Sequence, residues 1–436
     1  MTPSTSGAAL PLSVPLPVVP HAATSAATSA AGAARAPDVD VTPVVTCERE
    51  PSAAILGTYA RAPITLVRGD GAELIDIEGR RYLDFTSGIA VNALGYGDPG
   101  LREAMHAAVD AGLVHASNLF HTRAAAALAE WLVNHSFADR VFFCNSGAEA
   151  NEGAFKFARR WARDRGGPAK HEIIGVRGSF HGRLFASLGT TDRPGYRQPF
   201  RPLAGGAYVV ERDLDELEGV LAAETAAAVI VEPVQGEGGV RVLDPGFLRE
   251  LRALTRERDI ALIFDEVQCG LGRTGWLFAY ERSGVEPDLL TLAKPLAGGL
   301  PMGAVLLSAE IAGAIRPGDH GTTFGGGPFV AAVARYVVER LADPALLAAV
   351  RAHGDWMQES LLAIADRCGT VRGIRGAGLM WGIDVRAPAS AVIGRARELG
   401  LLLLSAGDHT LRLLPPLTIT REALARGLAI LEDALA

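Results

Sequence analysis

Lysine is rare in this chain, and one lysine stands where an amine could react. Lys156, Lys170 and Lys294 are the only lysines among 42 lysine and arginine residues. Arginine stays protonated, whereas a buried lysine can lose its proton and become a nucleophile. We place Lys156 on a solvated helix face and Lys170 in an exposed turn. Lys294 closes the apolar stretch DLLTLAK and opens onto PLAGG, which favours a buried reactive amine over a structural lysine.

A candidate phosphate site lies in CNSGAEANE, residues 144–152, which follows the apolar run RVFFC. The S-x-x-E pattern that starts at Ser146 is a capping box, and by itself predicts only a helix start. The small residues Gly147 and Ala148 leave the first N–H groups of that helix accessible, and such groups bind phosphate. A phosphate cradle and a simple cap both remain open, although HGTTFGG adds two hydroxyls as a second phosphate contact.

A carboxylate ends another apolar stretch, ALIFDEV. Strand alternation places Asp265 and Val267 on one face and Glu266 on the other. A buried carboxylate is costly without a cationic partner. Asp265 should therefore face either the protonated nitrogen of a heterocycle or one of the arginines.

Further polar and aromatic residues follow predicted strands or loops. GSFHGR supplies Phe180 and Arg183, and VEPVQGEGG places Glu232 and Glu237 beyond a strand end. Arg412 projects from one face of a strand and could clamp a carboxylate. A phosphate cradle, an aromatic ring, a carboxylate for a ring nitrogen and an amine are together what pyridoxal phosphate requires.

The elements that position these residues alternate along the chain. The runs RVFFC, EIIGV, AAVIVEP, IALIFDE, DLLTLAK and GAVLLS alternate with helical patterns, which predicts an α/β domain with a mostly parallel sheet. Residues 51–94 show a pattern of strands and turns, and the C-terminal part mixes strands and helices, which indicates a smaller α+β domain built from both chain ends. The predicted parts are a tail (1–50), the N-terminal part of the small domain (51–94), a large domain (95–335) and the C-terminal part of the small domain (336–436).

Composition and motifs exclude several classes of function. The net charge is −7, without a basic block, which argues against a nucleic-acid partner. No uninterrupted apolar run is long enough to span a membrane. The four cysteines are scattered without a CxxC pair, which predicts a reducing, cytoplasmic compartment. The two GxGxxG matches, GYGDPG and GLGRTG, lack the strand and helix of a dinucleotide site. No metal site is predicted, and the Ala/Ser/Pro-rich tail is expected to be disordered.

Two long motifs carry a family resemblance. FDEVQCGLGRTG followed by DLLTLAKPLAGGLPMG resembles the signature of class III (subgroup II) aminotransferases, which are pyridoxal phosphate enzymes of fold type I. The resemblance runs from about residue 55 to the C terminus. It implies a large domain with a mostly parallel seven-stranded sheet, a smaller α+β domain and a homodimer with shared active sites.

The resemblance also implies roles around the cofactor ring. Lys294 would form the Schiff base with pyridoxal 5'-phosphate, and Asp265 would keep the ring nitrogen protonated. Val267 and Phe180 would pack on the two faces of the ring. Gln268 would bond the ring oxygen.

The phosphate contacts implied by the resemblance come from two subunits. Ser146, Gly147 and Ala148 would hold the phosphate at the start of their helix. Thr323 would reach it from the neighbouring subunit, and Thr322 would contact either the phosphate or the substrate from that same subunit.

Within the family, SNLFHT, SFHGR, GEGGV and LRLLPPLTIT most resemble the acetylornithine-type enzymes of arginine biosynthesis. Arg183 would then bind the α-carboxylate of N-acetylornithine, or the side-chain carboxylate of 2-oxoglutarate. Arg412 would bind the α-carboxylate of 2-oxoglutarate or glutamate, and Glu237 would pair with Arg412 when the other substrate is bound. The terminal amino group would pass to 2-oxoglutarate and give glutamate and a semialdehyde.

The same residues are consistent with other substrates and other functions. Ornithine, 4-aminobutyrate, succinyl-diaminopimelate and carrier-bound lysine precursors are alternative donors. An aminomutase or racemase, or a non-catalytic relative, would share the fold. The family often has GHxHP where this chain has GYGDP, with Tyr96 and Asp98, and GGNP where this chain has Gly327. These departures bear on the identity of the substrate more than on the reaction.

Overall fold

A computed structural model describes residues 54–436 of the chain. The predicted tail, residues 1–50, and Cys47 lie outside the described residues. The chain divides into two units, Met1–Ala62 and Pro63–Ala436. In the described part of the first unit, the guanidinium of Arg61 lies over the ring of Tyr59, 5.8 Å from its centroid.

The second unit is built around a seven-stranded sheet, the central sheet. Its strands are, in spatial order, Arg140–Cys144, Gly303–Leu307, Leu289–Leu292, Ala261–Asp265, Ala226–Val231, Glu172–Val176 and Ala207–Val210. Gly303–Leu307 pairs antiparallel with both of its neighbours, and the other pairs are parallel. Six of the strands match the apolar runs in the sequence. The seventh, Ala207–Val210, lies at the sheet edge, where three half-buried residues and one buried residue give only a weak pattern.

The strands are apolar because helices cover both faces of the central sheet. All six residues of Ala226–Val231 are buried, as expected for parallel strands between two helical layers. The helix Gly147–Gly166 covers one face, with Ala154 and Trp161 in its core. The helices Pro245–Glu257 and Pro328–Leu341 contribute to the core on the other side. This packing leaves the carboxyl ends of the parallel strands open at one edge, where ligands bind in such sheets.

Two smaller sheets combine the beginning and the end of this unit. Val371–Ala377, Met380–Val385, Thr410–Leu413 and Leu404–Ser405 form one sheet. The other consists of Leu66–Asp70, Glu73–Asp76, Arg81–Asp84 and Leu401–Leu402, with Leu401 opposite Leu83. A two-stranded ribbon pairs Val234–Gln235 with Arg241–Val242. The predicted fold class is confirmed, whereas the predicted domain boundaries stay a prediction.

The remaining helices fill the layers around these sheets. The α-helices are Ser87–Ala90, Pro99–Asp110, Arg123–Asn134, Phe185–Gly189, Pro194–Arg197, Leu214–Leu221, Ala309–Ala314, Pro344–Arg367, Ala389–Glu398 and Arg421–Leu435. Within residues 54–436, none of the helices has the length and apolar character that crossing a membrane requires. Cys144, Cys269 and Cys368 are free thiols, and the cytoplasmic location stays a prediction.

Candidate active site

A cavity of about 250 Å³ opens at the carboxyl ends of the central strands. It is lined by Gly147, Ala148, Asn151, Phe180, His181, Gly182, Arg183, Glu232, Asp265, Val267, Gln268, Ala293 and Lys294. Most residues that the sequence singled out therefore meet in one place. We call this space the Lys294 cavity.

Lys294 begins a short 3-10 turn, Lys294–Ala297, just after a buried strand. Burial lowers the pKa of the Lys294 amine below its ordinary value, and the positive charge of Arg412 lowers it further. The carboxylates of Asp265, Glu237 and Glu232 oppose this shift. The burial and the neighbouring cation together favour the neutral amine, as predicted for a reactive lysine.

The other two lysines differ from Lys294. Lys156 is exposed, as predicted, and its ammonium donates to Nδ1 of His320 at 2.8 Å. The prediction that Lys170 is exposed is wrong, because only 8% of it is accessible. Its ammonium donates to the carbonyl of Arg258 at 2.6 Å. Arg258 caps the C terminus of the helix Pro245–Glu257, where a cation is stabilised by the helix dipole.

Asp265 ends its strand with its carboxylate held from two sides. Oδ2 accepts hydrogen bonds from Nδ2 of Asn151 and Nδ1 of His181, both at 2.8 Å. Oδ1 accepts from the backbone N–H of Val267 at 3.0 Å. Within the described part of the chain, no arginine pairs with this carboxylate. Glu266 points elsewhere, as the alternation predicted, and accepts from backbone N–H groups at 2.6 and 2.8 Å.

Asn151 and His181 are site residues that the sequence reasoning missed. Asn151 is buried and lies one helical turn after Gly147, so it faces the same side. Its Nδ2 also donates to the carbonyl of His181 at 2.7 Å, and its Oδ1 accepts from the hydroxyl of Thr291 at 2.8 Å. A polar residue within the apolar stripe of that helix was the signal that could have found Asn151.

The helix that begins at Gly147 presents its first N–H groups to the Lys294 cavity. Ser146 is its N-cap, and its hydroxyl accepts from the N–H of Glu149 at 3.2 Å. The Glu149 carboxylate bonds back to the N–H of Asn145, one residue earlier than the predicted capping box. A Cβ atom on Gly147 would lie 2.7 Å from Cγ1 of Val267. Any side chain at this position would therefore press on Val267.

Thr322 and Thr323 lie outside the Lys294 cavity. They line a separate cavity of about 810 Å³ together with His115, Asn118 and His320. The hydroxyl of Thr322 accepts from Nδ2 of Asn145 at 3.1 Å. A single subunit therefore does not bring these two residues to the predicted phosphate position.

Arg412 is buried on the strand Thr410–Leu413 and has two side-chain partners. Its Nη2 lies 2.7 Å from Oε1 of Glu237, and its Nη1 donates to Oε1 of Gln268 at 3.1 Å. A side chain on Gly236 would clash with Gln268. The loop that carries Glu237 therefore packs directly on Gln268.

Glu232 connects two loops around the Lys294 cavity. Its carboxylate accepts from the N–H of Phe180 at 2.8 Å and from the N–H of Gly236 at 3.0 Å. Burial raises the pKa of Glu232 to about 7. Glu232 thus fixes the aromatic wall on one side and the start of the Glu237 loop on the other.

Arg183 has a different environment from Arg412. Its guanidinium carbon lies 3.4 Å from the centroid of the Tyr196 ring and 5.9 Å from that of Phe180. None of the carboxylates in residues 54–436 forms a salt bridge with it. Arg183, which lines the Lys294 cavity, is thus not neutralised by a carboxylate in that range, whereas Arg412, which adjoins the cavity through Gln268, is paired with Glu237.

The departures from the family pattern serve local structure. The hydroxyl of Tyr96 donates to Asp84 at 2.6 Å. Asp98 caps the helix Pro99–Asp110, accepting from the N–H of Leu101 at 2.7 Å and from the Tyr336 hydroxyl at 2.8 Å. Gly327 precedes the helix Pro328–Leu341 without a capping side chain. Their bearing on the substrate stays a prediction.

Comparison with known proteins agrees with this site. The family model "Aminotransferase class-III" matches residues 57–435. The mitochondrial acetylornithine aminotransferase of Alnus glutinosa is 46% identical, over 87% of this chain and 85% of its own length. The acetylornithine aminotransferase of Xanthomonas campestris pv. campestris is also 46% identical, over 87% of this chain and 95% of its own.

Solved structures show the same relationship. The N-acetylornithine aminotransferase of Stenotrophomonas maltophilia is 41% identical, with a TM-score of 0.76 over 86% of this chain and 96% of that chain. The ornithine aminotransferase of Toxoplasma gondii is 30% identical, with a TM-score of 0.84 over 88% and 92%. The family resemblance of the motifs is confirmed. This chain belongs to the class-III aminotransferases.

Proposed function

We propose that this protein moves the terminal amino group of N-acetylornithine to 2-oxoglutarate, giving glutamate and a semialdehyde. The observation that carries this proposal is the pair of arginines in different states around Lys294. Arg412 is neutralised by Glu237 at 2.7 Å, whereas Arg183 has no such partner in the described residues. A site with one free and one covered arginine suits two substrates with different numbers of carboxylates near the reacting carbon.

The residues of the Lys294 cavity fit pyridoxal phosphate. Lys294 would hold it covalently, and the Asp265 carboxylate would pair with its ring nitrogen. Ser146, Gly147 and Ala148 would bind its phosphate through a helix start. When bound, pyridoxal phosphate supplies an electron sink for the carbon that loses its proton. Gly147 supports this fit, because a side chain there would collide with Val267, which lines the same cavity.

The remaining ring contacts would come from the walls of the same cavity. Val267 and Phe180 would enclose the ring, and both line the cavity. Gln268 would donate to the ring oxygen through its amide nitrogen. Arg412 supports this orientation, because its Nη1 donates a hydrogen bond to the amide oxygen of Gln268 at 3.1 Å.

Lys294 would also move the proton. Its Nζ would take the proton from the substrate carbon that bears the amino group and deliver it to the C4′ carbon of the cofactor. A general base must be unprotonated when it acts. The lowered pKa of Lys294, caused first by burial, supports this role.

Arg183, Arg412 and Glu237 would select the two substrates in turn. With N-acetylornithine, Arg183 would bind the α-carboxylate and Glu237 would stay on Arg412. With 2-oxoglutarate or glutamate, Glu237 would give way, and Arg412 would bind the α-carboxylate while Arg183 bound the distal one. A buried cation left without either partner would be costly, so Glu237 and the α-carboxylate alternate.

The choice of N-acetylornithine over ornithine rests on similarity. The acetylornithine aminotransferases named above are 41 to 46% identical to this chain, and the ornithine aminotransferase is 30% identical. An exchange between two substrates also explains why Arg412 is paired with Glu237. An aminomutase or racemase would not require such a pair.

A homodimer with shared sites would complete the phosphate contacts. Thr322 and Thr323 lie outside the Lys294 cavity of their own subunit. Large apolar side chains near them are exposed, with accessible fractions of 89% for Leu119, 72% for Phe120 and 66% for Phe324. Such a cluster is typical of a protein interface, and it supports the proposal that Thr323 reaches the partner's phosphate.

The test follows the visible absorption of the bound cofactor while single amine donors are added. N-acetylornithine and glutamate should discharge the absorption rapidly, and ornithine and 4-aminobutyrate slowly. Rapid discharge by ornithine or 4-aminobutyrate instead would overturn the choice of substrate. A purified protein that pyridoxal phosphate cannot load would overturn the assignment of Lys294.

A further inference from the structure

The short helix Pro194–Arg197 places an aromatic ring under Arg183. The guanidinium carbon of Arg183 lies 3.4 Å from the centroid of the Tyr196 ring. An arginine that stacks on a ring through its planar face keeps its N–H edge available. Tyr196 therefore supports the cation without neutralising it, in contrast to Glu237 on Arg412.

The segment that carries Tyr196 is anchored to both loops of the site. Arg193 donates a hydrogen bond to the backbone carbonyl of Glu237. The carboxylate of Asp192 accepts from the N–H of Gly178 at 2.8 Å, and its own N–H donates to the carbonyl of Ser179 at 2.9 Å. These contacts fix the position of the short helix against the loop that leads to Arg183.

The hydroxyl of Tyr196 contributes nothing comparable. Within residues 54–436 no hydrogen bond to this hydroxyl is present, and Tyr196 is only half-buried. The ring is the part of the side chain that meets Arg183. The ring face can thus be removed or kept by substitution without breaking a hydrogen bond of the described chain.

We propose that Tyr196 is a positioning residue that holds Arg183 ready for the carboxylate of the amine donor. This inference rests on the proposed role of Arg183. A flexible arginine without a carboxylate partner would otherwise sample many rotamers, and ordering it would weaken binding. The stack orders Arg183 in advance and leaves its charge for the substrate.

The experiment compares two amines that differ only in the α-carboxylate that Arg183 would bind. N-acetylornithine carries this carboxylate, and N-acetylputrescine is the same molecule without it. In the loaded holoenzyme, Tyr196→Leu should lower kcat/KM for N-acetylornithine by about 3- to 30-fold, the range of cation–π stacking, chiefly through KM. The value for N-acetylputrescine should stay unchanged. Tyr196→Phe, which keeps the ring, should restore the value for N-acetylornithine.

Two further variants make the result specific. Trp356→Leu removes another arginine–aromatic stack, in which the guanidinium carbon of Arg421 lies 4.2 Å from the ring centroid. This variant should leave kcat/KM unchanged for both amines. In an Arg183→Ala background, Tyr196→Leu should have no additional effect.

The contrary outcomes are distinct. If Tyr196→Leu lowers kcat/KM equally for both amines, the role of Tyr196 alone is overturned. The same follows if Tyr196→Leu lowers kcat/KM in the Arg183→Ala background as much as in the wild type. If Arg183→Ala does not reduce the preference for N-acetylornithine over N-acetylputrescine, the assignment of Arg183 in the proposed function fails, and this inference fails with it.

Discussion

Nη2 of Arg412 lies 2.7 Å from Oε1 of Glu237, and Arg412 is almost completely buried. The two charges come from separate parts of the chain, a loop after a central strand and a strand of a smaller sheet. Because the pair adjoins Gln268, which lines the Lys294 cavity, we expect its state to determine which charge a substrate meets there.

Removal of Glu237 tests this pair. Glu237→Gln should leave the charge of Arg412 unpaired when N-acetylornithine is bound. The rate of reaction with N-acetylornithine should therefore fall by about 10-fold relative to the rate with glutamate, which corresponds to roughly 1.4 kcal/mol. Stopped-flow absorption of each half-reaction measures the ratio. Glu211→Gln breaks an exposed pair with Arg177 and serves as the control. An unchanged ratio in Glu237→Gln would contradict the exchange of carboxylates.

Substitution of the lysines separates the reactive amine from a structural one. Lys294→Ala should abolish turnover, because no other lysine lines the cavity. Lys170→Ala should keep turnover but lower the free energy of unfolding by about 1 kcal/mol, since it loses a hydrogen bond to a helix end. Assays of turnover and urea unfolding measure both. Surviving turnover in Lys294→Ala would disprove the mechanism.

A methyl group on Gly147 tests the phosphate cradle. In Gly147→Ala, the new Cβ would lie 2.7 Å from Val267, and we expect affinity for pyridoxal phosphate to fall by about 10-fold or more, in line with an overpacking cost of roughly 1–3 kcal/mol. Gly153→Ala lies on the same helix, with no atom closer than 3.5 Å. Cofactor titration of the two apoproteins gives the comparison. Equal affinities would argue against a cradle at Gly147.

Glu266 gives a prediction on pH that does not involve the cavity. Burial raises the pKa of Glu266 to about 8 from an ordinary value of 4.5. The folded protein therefore holds this proton more tightly than the unfolded chain, and the resulting stabilisation is complete below pH 4.5 and lost as the pH rises through about 8. The free energy of unfolding should thus fall between pH 5 and 8 more in the wild type than in Glu266→Gln. If the free energy of unfolding depends on pH in the same way in the wild type and in Glu266→Gln, Glu266 does not titrate in this range.

Mixed dimers test the shared site. We expect Thr323→Ala to reduce cofactor affinity, and Lys294→Ala to be inactive. If Thr323 reaches the partner's site, a dimer of one subunit of each variant contains one site with both residues intact. Mixing after denaturation and refolding should therefore recover activity above that of either variant alone. No recovery, despite dimers formed by both variants, would show that the two residues serve the same subunit's site.

The sequence predicted the central part of the site because buried parallel strands have an unambiguous pattern. Lys294 and Asp265 each follow a run of buried apolar residues, and the strand ends bring them together. Ala207–Val210 was not predicted, because a short edge strand with three half-buried residues and one buried residue resembles a loop in sequence. The Arg412–Glu237 contact was implied only by the family resemblance, since nothing in the spacing of these residues brings them together.

Other features depended on tertiary structure. His181 and Asn151 hold Asp265, but their positions in a loop and a helix do not show that they face the same carboxylate. Lys170 is buried because its ammonium meets the end of another helix, a contact that the sequence of its own turn does not reveal.

The pairing of Leu401–Leu402 with Arg81–Asp84 has a consequence for biosynthesis. Leu83 and Leu401 face each other although about 300 residues separate them along the chain, and closure of such long loops is slow. On the ribosome, the strands that carry Asp265 and Lys294 emerge well before residue 401, so they can assemble first. The strand with Arg412 comes later still. We expect the nascent protein to form the walls of the Lys294 cavity before it acquires Arg412.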